Sequence, residues 1–141
     1  MNLIYSHDTP EGALKGDYHI LTFAETGFAM LNLYGDAFGI DRETLKAFED
    51  ASNRRDEPGS LHPRAPISVV PRRFIRGTED CAALAARISE FLKANHDSIH
   101  AKKLLVDFRA GVAPWVLDAV RDALRSPHAA GIEDVVIINS N

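Results

Sequence analysis

The sequence lacks several features that would place it in specialised classes of protein. Cys81 is the single cysteine in 141 residues, which excludes an internal disulfide framework and a cysteine-based zinc cluster. Long apolar runs are also missing, since runs such as 135–138 fall far short of the roughly 20 residues that a membrane-spanning helix needs. Residues 1–8 contain neither the basic region nor the long apolar region of a secretory signal. We therefore expect a cytoplasmic protein.

Neither sign of charge is in large excess. Sixteen basic and twenty acidic residues give a net charge of −4 at pH 7, so the chain as a whole does not have the character of a polyanion binder. A hydrophobic fraction of 45% is enough to form a buried core, and 141 residues accommodate one such core. The common nucleotide-binding, metalloprotease and serine-hydrolase motifs are missing from the sequence as well. These observations predict a single folded domain without a recognisable catalytic motif.

Hydrophobic periodicity predicts an α/β fold: a mixed sheet with an N-terminal β-hairpin, a C-terminal βαβ unit, and helices packed on the sheet. The hairpin would form around Glu25-Thr26-Gly27, because a short connection ending in glycine suits a hairpin loop; a helix across 28–34 is the competing interpretation. The predicted elements are an edge strand at 3–5, hairpin strands at 18–24 and 28–34, a helix from Asp41, a strand-like segment at 67–75, a helix at 78–95, a strand at 103–108, a helix at 113–125 and a strand at 135–138.

Two of the predicted helices have a continuous apolar stripe at helical spacing. In the first, for which Thr78 is the expected N-cap, the stripe contains Cys81, Leu84, Ala85, Ile88, Phe91 and Leu92. In the second, the stripe contains Ala113, Val116, Leu117, Val120, Ala123 and Leu124. The position of Cys81 in its stripe favours a packing role for this thiol over a nucleophilic one. Both stripes are expected to face the sheet.

A segment rich in proline and arginine interrupts the pattern. Residues 53–66 contain three prolines and no apolar periodicity, which predicts a long, mobile loop. Around it the positive charge is concentrated, with Arg54, Arg55, Arg64, Arg72, Arg73 and Arg76 against Asp56 and Glu57. Such a cluster on an acidic body favours an anionic partner, with a protein face ranked above nucleic acid because few aromatic residues are interleaved for base stacking. A solvated loop whose charges pair among themselves remains an equal alternative.

The strongest candidates for a ligand or anion site are Asp107, Arg109 and Gly111. They follow a predicted strand and precede a helix, and ligands collect at that edge of an open α/β sheet. The competing and favoured interpretation is an ion pair that fixes the loop. His96 and His100 have the spacing of two metal ligands on a helix, but a capping role near a helix end is favoured. We therefore expect no metal site and no cofactor.

Trp115 is placed almost opposite the apolar stripe of its helix, near two aspartates. A tryptophan on a polar helix face is either covered by another segment, such as residues 53–66, or anchors an interface. Together with Arg54, Arg55, Arg72 and Arg73, it is a candidate residue for binding a partner.

Two stretches, 25–36 and the apolar strand 104–108 with the segment 131–139, together resemble the STAS domain of sulfate transporters and anti-sigma-factor antagonists. The resemblance implies an α/β regulatory domain. In the antagonists, the helix after the Asp-ended strand begins with a phosphorylatable serine, whereas residues 110–114 here contain no hydroxyl group. No functional residue is therefore carried over from that family. The opening also fits the start of a crotonase, but the glycine-rich oxyanion segment of that family is missing after Asp107.

The sequence thus supports two hypotheses of different classes. The first is a non-enzymatic regulatory or interaction domain that binds a protein partner or a second copy of itself. The alternative is a small enzyme or nucleotide-binding protein with its site at the carboxyl end of strand 103–108. The missing catalytic motifs favour the first hypothesis.

Overall fold

The structure is a computed structural model and describes residues 2–10, 17–23, 43–44, 46–47, 59–60, 67–70, 74–75, 80–99, 103–109 and 113–139. The strands are β1 (Asn2–Ser6), β2 (Tyr18–Phe23), β3 (Gly59–Ser60), β4 (Ile67–Val70), β5 (Lys103–Asp107) and β6 (Asp134–Ile138). They form one sheet in the order β1-β6-β5-β2-β4-β3. The pairing of β3 with β4 is antiparallel, and the other neighbouring pairs are parallel. The predicted mixed α/β sheet is confirmed.

The start of the sheet differs from the predicted hairpin. Strand β2 is the first predicted hairpin strand, but over Ile20–Thr22 it pairs with β4 on one side and with β5 on the other. A strand has only two edges, so no edge of β2 is left for an antiparallel hairpin partner, and the hairpin prediction is wrong. The second predicted hairpin strand, 28–34, lies outside the described residues.

The helices whose bounds fall within the described residues are, in chain order, α1 (Cys81–Ala94), α2 (His96–Ile99) and α3 (Pro114–Leu124), with a 3-10 helix at Pro127–Ala129. The Asp80 side chain caps α1 by accepting a hydrogen bond of 2.8 Å from the Ala83 amide. Asp80 therefore takes the N-cap position that was predicted for Thr78, because its carboxylate reaches a free amide of the first turn. Helix α3 begins at Pro114, one residue after the predicted start at 113, and a missing amide costs no hydrogen bond at this position.

Helices α1 and α3 pack on the same face of the sheet and contact each other. The sheet residues of this face include Leu21, Leu104, Val106, Val135 and Ile137, all at most 2% exposed. The predicted βαβ unit is confirmed, since β5 leads through α3 into β6 and the two strands are parallel neighbours. The opposite face of the central strands is buried too, with Ile20, Leu105 and Val136 at most 4% exposed. Burial on both faces explains the continuous apolar runs 104–106 in β5 and 135–138 in β6.

The buried stripe of α1 matches the prediction, except that Cys81 is only half-buried. The buried face of α3 is rotated from the predicted one and contains Val116, Ala119, Val120, Ala123 and Leu124. Leu117 is half-buried and Ala113 is exposed. Ala119 is not part of the predicted stripe because it falls between the helical offsets counted from Ala113, yet its small side chain allows close approach to the core.

Within the predicted 53–66 loop, Gly59 and Ser60 form β3. The rest of that segment lies outside the described residues. In the predicted helix from Asp41, residues 43–44 and 46–47 are helical.

Candidate functional site

Asp107 and Arg109 form a two-point ion pair at the carboxyl end of β5. Arg109 Nε lies 3.1 Å from Oδ1 of Asp107, and Arg109 Nη2 lies 2.7 Å from Oδ2. The Arg109 backbone amide also donates to Oδ1 at 2.9 Å. The Asp107 side chain is fully buried, whereas that of Arg109 is 21% exposed. One carboxylate therefore fixes both the backbone and the guanidinium of the turn that leaves the strand.

This pair lies beside two neighbouring strands whose connections run to opposite sides of the sheet. The chain leaves β2 toward β3 and β4 on one side, and it leaves β5 through α3 toward β6 on the other side. Adjacent parallel strands whose connections diverge create a crevice at their carboxyl ends, which is the usual ligand position in open α/β sheets. The strands that meet at this point are β2 and β5.

Thr22 is the residue of β2 that lies in register with Asp107 of β5. Its side chain is fully buried, and its Oγ1 atom has no hydrogen-bond partner among the described residues. On the opposite face of the same strands, the rings of Phe23 and Phe108 stack with centroids 4.9 Å apart. The carboxyl edge is therefore apolar on the side of the helices and polar on the other side.

The arrangement suits a positioning role for Asp107 better than a role as a general base. A base must offer a free lone pair to a substrate proton, but both carboxylate oxygens of Asp107 already accept hydrogen bonds from Arg109. The guanidinium of Arg109 is likewise directed at the carboxylate. Gly111, the third predicted residue of this site, lies outside the described residues.

A different surface is exposed at the edge of the sheet. Leu3, Ile4 and Tyr5 of β1 are 41%, 46% and 50% exposed and are the exposed large hydrophobic residues of the described chain. No described strand pairs with the outer edge of β1, since β6 is its only neighbour in the sheet order. An uncharged apolar edge strand is a template on which another strand can pair.

The direction of the backbone groups of β1 follows from its pairing with β6. The Asn2 amide donates to the Glu133 carbonyl at 2.8 Å, so the backbone groups of Asn2 point toward β6. Because these groups alternate along a strand, those of Ile4 also point toward β6. The amides and carbonyls of Leu3 and Tyr5 therefore point outward, away from the sheet.

A groove of about 320 Å³ lies beside this edge, lined by Leu3, Tyr5, Arg121, Leu124 and Arg125. Arg121 donates hydrogen bonds to the Tyr5 hydroxyl from Nε (2.6 Å) and from Nη2. Its guanidinium also lies 5.1 Å from the centre of the Tyr5 ring. Arg121 thereby fixes the orientation of Tyr5 relative to α3, so one of the three exposed apolar side chains is held in place.

The remaining predicted partner-binding residues are not brought together by the described structure. Trp115 is half-buried and packs against the core. Since Ala119 belongs to the buried face of α3, Trp115 lies one turn away on its flank and not opposite to it. The prediction that its own helix leaves Trp115 out of the core is wrong. The arginines Arg54, Arg55, Arg72 and Arg73 lie outside the described residues.

Cys81 is half-buried, and its Sγ atom lies 3.7 Å from Oδ2 of Asp122 on α3. Desolvation raises the pKa of this thiol, and the negative charge of Asp122 raises it further. A thiol with a raised pKa is a poor nucleophile at neutral pH. His96 is exposed, and His100 lies outside the described residues. Within the described ranges, no group of three or more metal-ligating side chains is positioned to hold an ion.

The edge strand at 3–5 was predicted from the sequence, but no function was assigned to it. The signal is the run of Leu3, Ile4 and Tyr5 without a charged residue, a proline or a glycine. Natural edge strands are commonly protected by such residues. The absence of charged residues, proline and glycine from a predicted edge strand therefore indicates a binding surface, and this signal is present in the sequence itself.

No protein-family model, curated protein or solved structure matches the chain. Among the helices that the structure describes, none is long and apolar enough to cross a membrane.

Proposed function

We propose that this chain is a non-enzymatic interaction domain that binds a protein partner, or a second copy of itself, through strand β1. The observation that carries the proposal is the exposed apolar outer edge of that strand. Leu3, Ile4 and Tyr5 are each more than 40% exposed on consecutive positions, and the outward backbone groups of Leu3 and Tyr5 can form hydrogen bonds with an added strand. A regulatory role of the STAS type agrees with an α/β interaction domain and is part of this proposal.

The tendency of such an edge to pair with other chains supports its assignment as a binding surface. Exposed apolar side chains on an uncharged edge strand promote indiscriminate pairing with other chains. Such a surface is therefore a liability for a protein that functions alone, whereas it is the required surface for a protein that adds a strand to a partner. The ion pair of Asp107 and Arg109 agrees with this proposal, because these two predicted ligand- or anion-binding residues are engaged with each other.

The experiment uses the chain as bait and compares two lysine variants with the wild type. Ile4→Lys places a charge in the middle of the edge strand, and Ala86→Lys adds the same charge on an exposed position of α1. We expect partner chains, including added copies of the chain itself, to be retained by the wild type and by Ala86→Lys, and to be lost with Ile4→Lys. Equal retention by all three baits contradicts the proposal, provided that circular dichroism shows the three proteins to be folded.

A second candidate function is supported by the buried Thr22 hydroxyl. It lies in register with Asp107 at the carboxyl ends of the two diverging strands, where a small ligand or nucleotide binds in other open sheets. A ligand that accepts or donates one hydrogen bond there would satisfy the otherwise unpaired Oγ1 atom.

Thr22→Val tests this candidate because it removes the hydroxyl with little change in shape. Without a ligand, we expect the variant to be more stable by about 1 kcal/mol, since a buried unpaired polar group is lost. If a nucleotide from a panel of nucleoside mono-, di- and triphosphates raises the melting temperature of the wild type but not that of Thr22→Val, the candidate is supported. No effect of any nucleotide on the wild type counts against it.

A further inference from the structure

We infer that the partner of β1 is a second copy of this chain, paired antiparallel to it with Ile4 opposite Ile4 on a two-fold axis. This inference rests on the proposed function and specifies the partner and the register. It follows from the polarity of the strand, from the direction of its backbone groups and from the place where the strand ends.

The strand is self-complementary when it is reversed. Its sequence runs from Asn2 through Leu3, Ile4 and Tyr5 to Ser6, with polar residues at both ends and three apolar residues between them. An antiparallel copy centred on Ile4 places each polar end opposite a polar end. It also places Leu3 opposite the Tyr5 of the partner copy, so apolar side chains meet apolar side chains at all three central positions.

The backbone of β1 favours the same register. The outward groups belong to Leu3 and Tyr5, as the bond from Asn2 to the Glu133 carbonyl establishes. In an antiparallel pair, two opposite residues with facing backbone groups exchange two hydrogen bonds. With Ile4 on the two-fold axis, the Leu3 of each copy lies opposite the Tyr5 of the other copy. The outward amides and carbonyls of these residues then all form hydrogen bonds. Ile4 then forms the close, non-hydrogen-bonded pair, with about 4.5 Å between the two Cα atoms.

A turn after Ser6 limits β1 at its carboxyl end. The Ser6 hydroxyl donates to the Asp8 carbonyl at 2.9 Å and accepts from the Asp8 amide at 3.2 Å. The chain turns there and β1 ends at Ser6. Ile4 is the central residue of Asn2–Ser6, and a register centred on Ile4 pairs all five of these residues in both copies.

The surroundings of the axis are compatible with a second copy. In an antiparallel pair, opposite side chains lie on the same face, so the partner's Leu3 and Tyr5 lie on the face of the groove that Leu3 and Tyr5 line together with α3. The arginines of that groove are charge-balanced, because Arg121 lies 3.8 Å from Asp118 and Arg125 lies 3.2 Å from Asp122. Strand β1 itself contains no charged residue. Two copies therefore approach without repulsion between like charges on the strand.

A two-fold dimer is a closed assembly, and this property distinguishes it from a head-to-tail contact through the same edge. A two-fold contact between two β1 strands uses the same edge of both copies and leaves no further β1 edge exposed. A head-to-tail contact of β1 with the opposite edge of the sheet would leave free edges at both ends and would continue into a filament. A dimer is therefore the assembly that removes the exposed edge completely.

Cysteine cross-linking tests the register in a Cys81→Ser background, which retains a hydrogen-bond donor beside Asp122. Ile4→Cys places two thiols opposite each other at a separation that a disulfide can span. Leu3→Cys is the matched control, because the two Leu3 positions are diagonal to each other at about 7–8 Å, beyond the usual range of a disulfide. Under mild oxidation we expect Ile4→Cys to form a covalent dimer about tenfold faster than Leu3→Cys. The rate of covalent dimer formation should rise with the square of the chain concentration.

The outcomes separate this inference from the proposed function. If Leu3→Cys cross-links as fast as Ile4→Cys, the register is wrong. If the wild type sediments as a monomer from about 1 μM to about 1 mM, a range that includes typical weak dimers, self-association is wrong. The proposed function would stand in that case if the wild-type bait still retained another protein that the Ile4→Lys bait lost. A dimer that persists unchanged in Ile4→Lys uses another surface and overturns the inference.

Discussion

Asp107 and Arg109 are joined by four hydrogen bonds across a single intervening residue, and the carboxylate is buried whereas the guanidinium is partly exposed. This difference in burial determines how much the free energy of unfolding falls when each member of the pair is removed. Loss of the arginine leaves a buried charge without its main counter-charge, whereas loss of the carboxylate leaves a cation that water can reach.

The two substitutions at this pair are therefore expected to have unequal effects. Arg109→Met should lower the free energy of unfolding by about 3–5 kcal/mol, as the removal of one partner of a buried ion pair does. Asp107→Asn should cost less, about 1–3 kcal/mol, because the amide oxygen still accepts from the Arg109 backbone. Urea unfolding at pH 7 measures both values. Equal costs would show that the burial of Asp107 does not determine the energy of the pair.

Leu84 and Leu117 test the orientation of the two long helices. Leu84 is fully buried on α1, whereas Leu117 is half-buried on α3. Leu84→Ala should reduce the free energy of unfolding by about 2–5 kcal/mol through lost burial and a cavity. Leu117→Ala should cost about half as much, because the side chain retains contact with water. A larger loss for Leu117→Ala would mean that α3 is rotated from the position described.

Trp115 is expected to stabilise the chain and to take no part in association. Its ring packs against the core from the flank of α3, so Trp115→Ala should lower the free energy of unfolding by about 2 kcal/mol, roughly half the cost for a buried tryptophan. The self-association of the chain should stay unchanged in sedimentation velocity. A stable variant with weakened association would instead restore Trp115 as an interface anchor.

Cys81 should react slowly with alkylating reagents, since its pKa is raised by desolvation and by Asp122. The thiolate is the reactive form, so the rate with iodoacetamide should rise with pH and reach half its maximum above the pKa of an ordinary cysteine. Asp122→Asn removes the nearest negative charge, lowers the pKa of the thiol and should increase the rate at pH 8. Glu133→Gln, which also removes one negative charge, is the control and should leave the rate unchanged.

Predictions from the sequence were most successful where burial alone determines the structure. Strands β5 and β6 and the stripe of α1 were predicted because an apolar run or a helical spacing directly reflects the core that covers it. The hairpin prediction was wrong because the aromatic and aliphatic residues of β2 are equally suited to a central parallel strand. The identity of strand neighbours depends on contacts far apart in the chain, such as Thr22 with Asp107, which local patterns do not contain.

The candidate sites show the same division between local and distant contacts. The pair of Asp107 and Arg109 could be predicted because its members are two residues apart, and the structure adds its geometry and burial. The groove beside β1 could not be predicted, since it joins Tyr5 to Arg121 across 116 residues of sequence. The edge strand at 3–5 was predicted from the sequence, and the sheet order places β1 at the end of the sheet.

Amide hydrogen exchange of Leu3 and Tyr5 is the most direct test of whether β1 is the association surface. Residue-resolved NMR measures the exchange rates of Leu3, Ile4 and Tyr5 in the unmodified chain at low and high concentration. We expect the outward amides of Leu3 and Tyr5 to exchange rapidly when dilute and to become protected on association, while the Ile4 amide, already directed at β6, is protected throughout. If association proceeds while the Leu3 and Tyr5 amides still exchange rapidly, the chains meet at another surface and the account is contradicted.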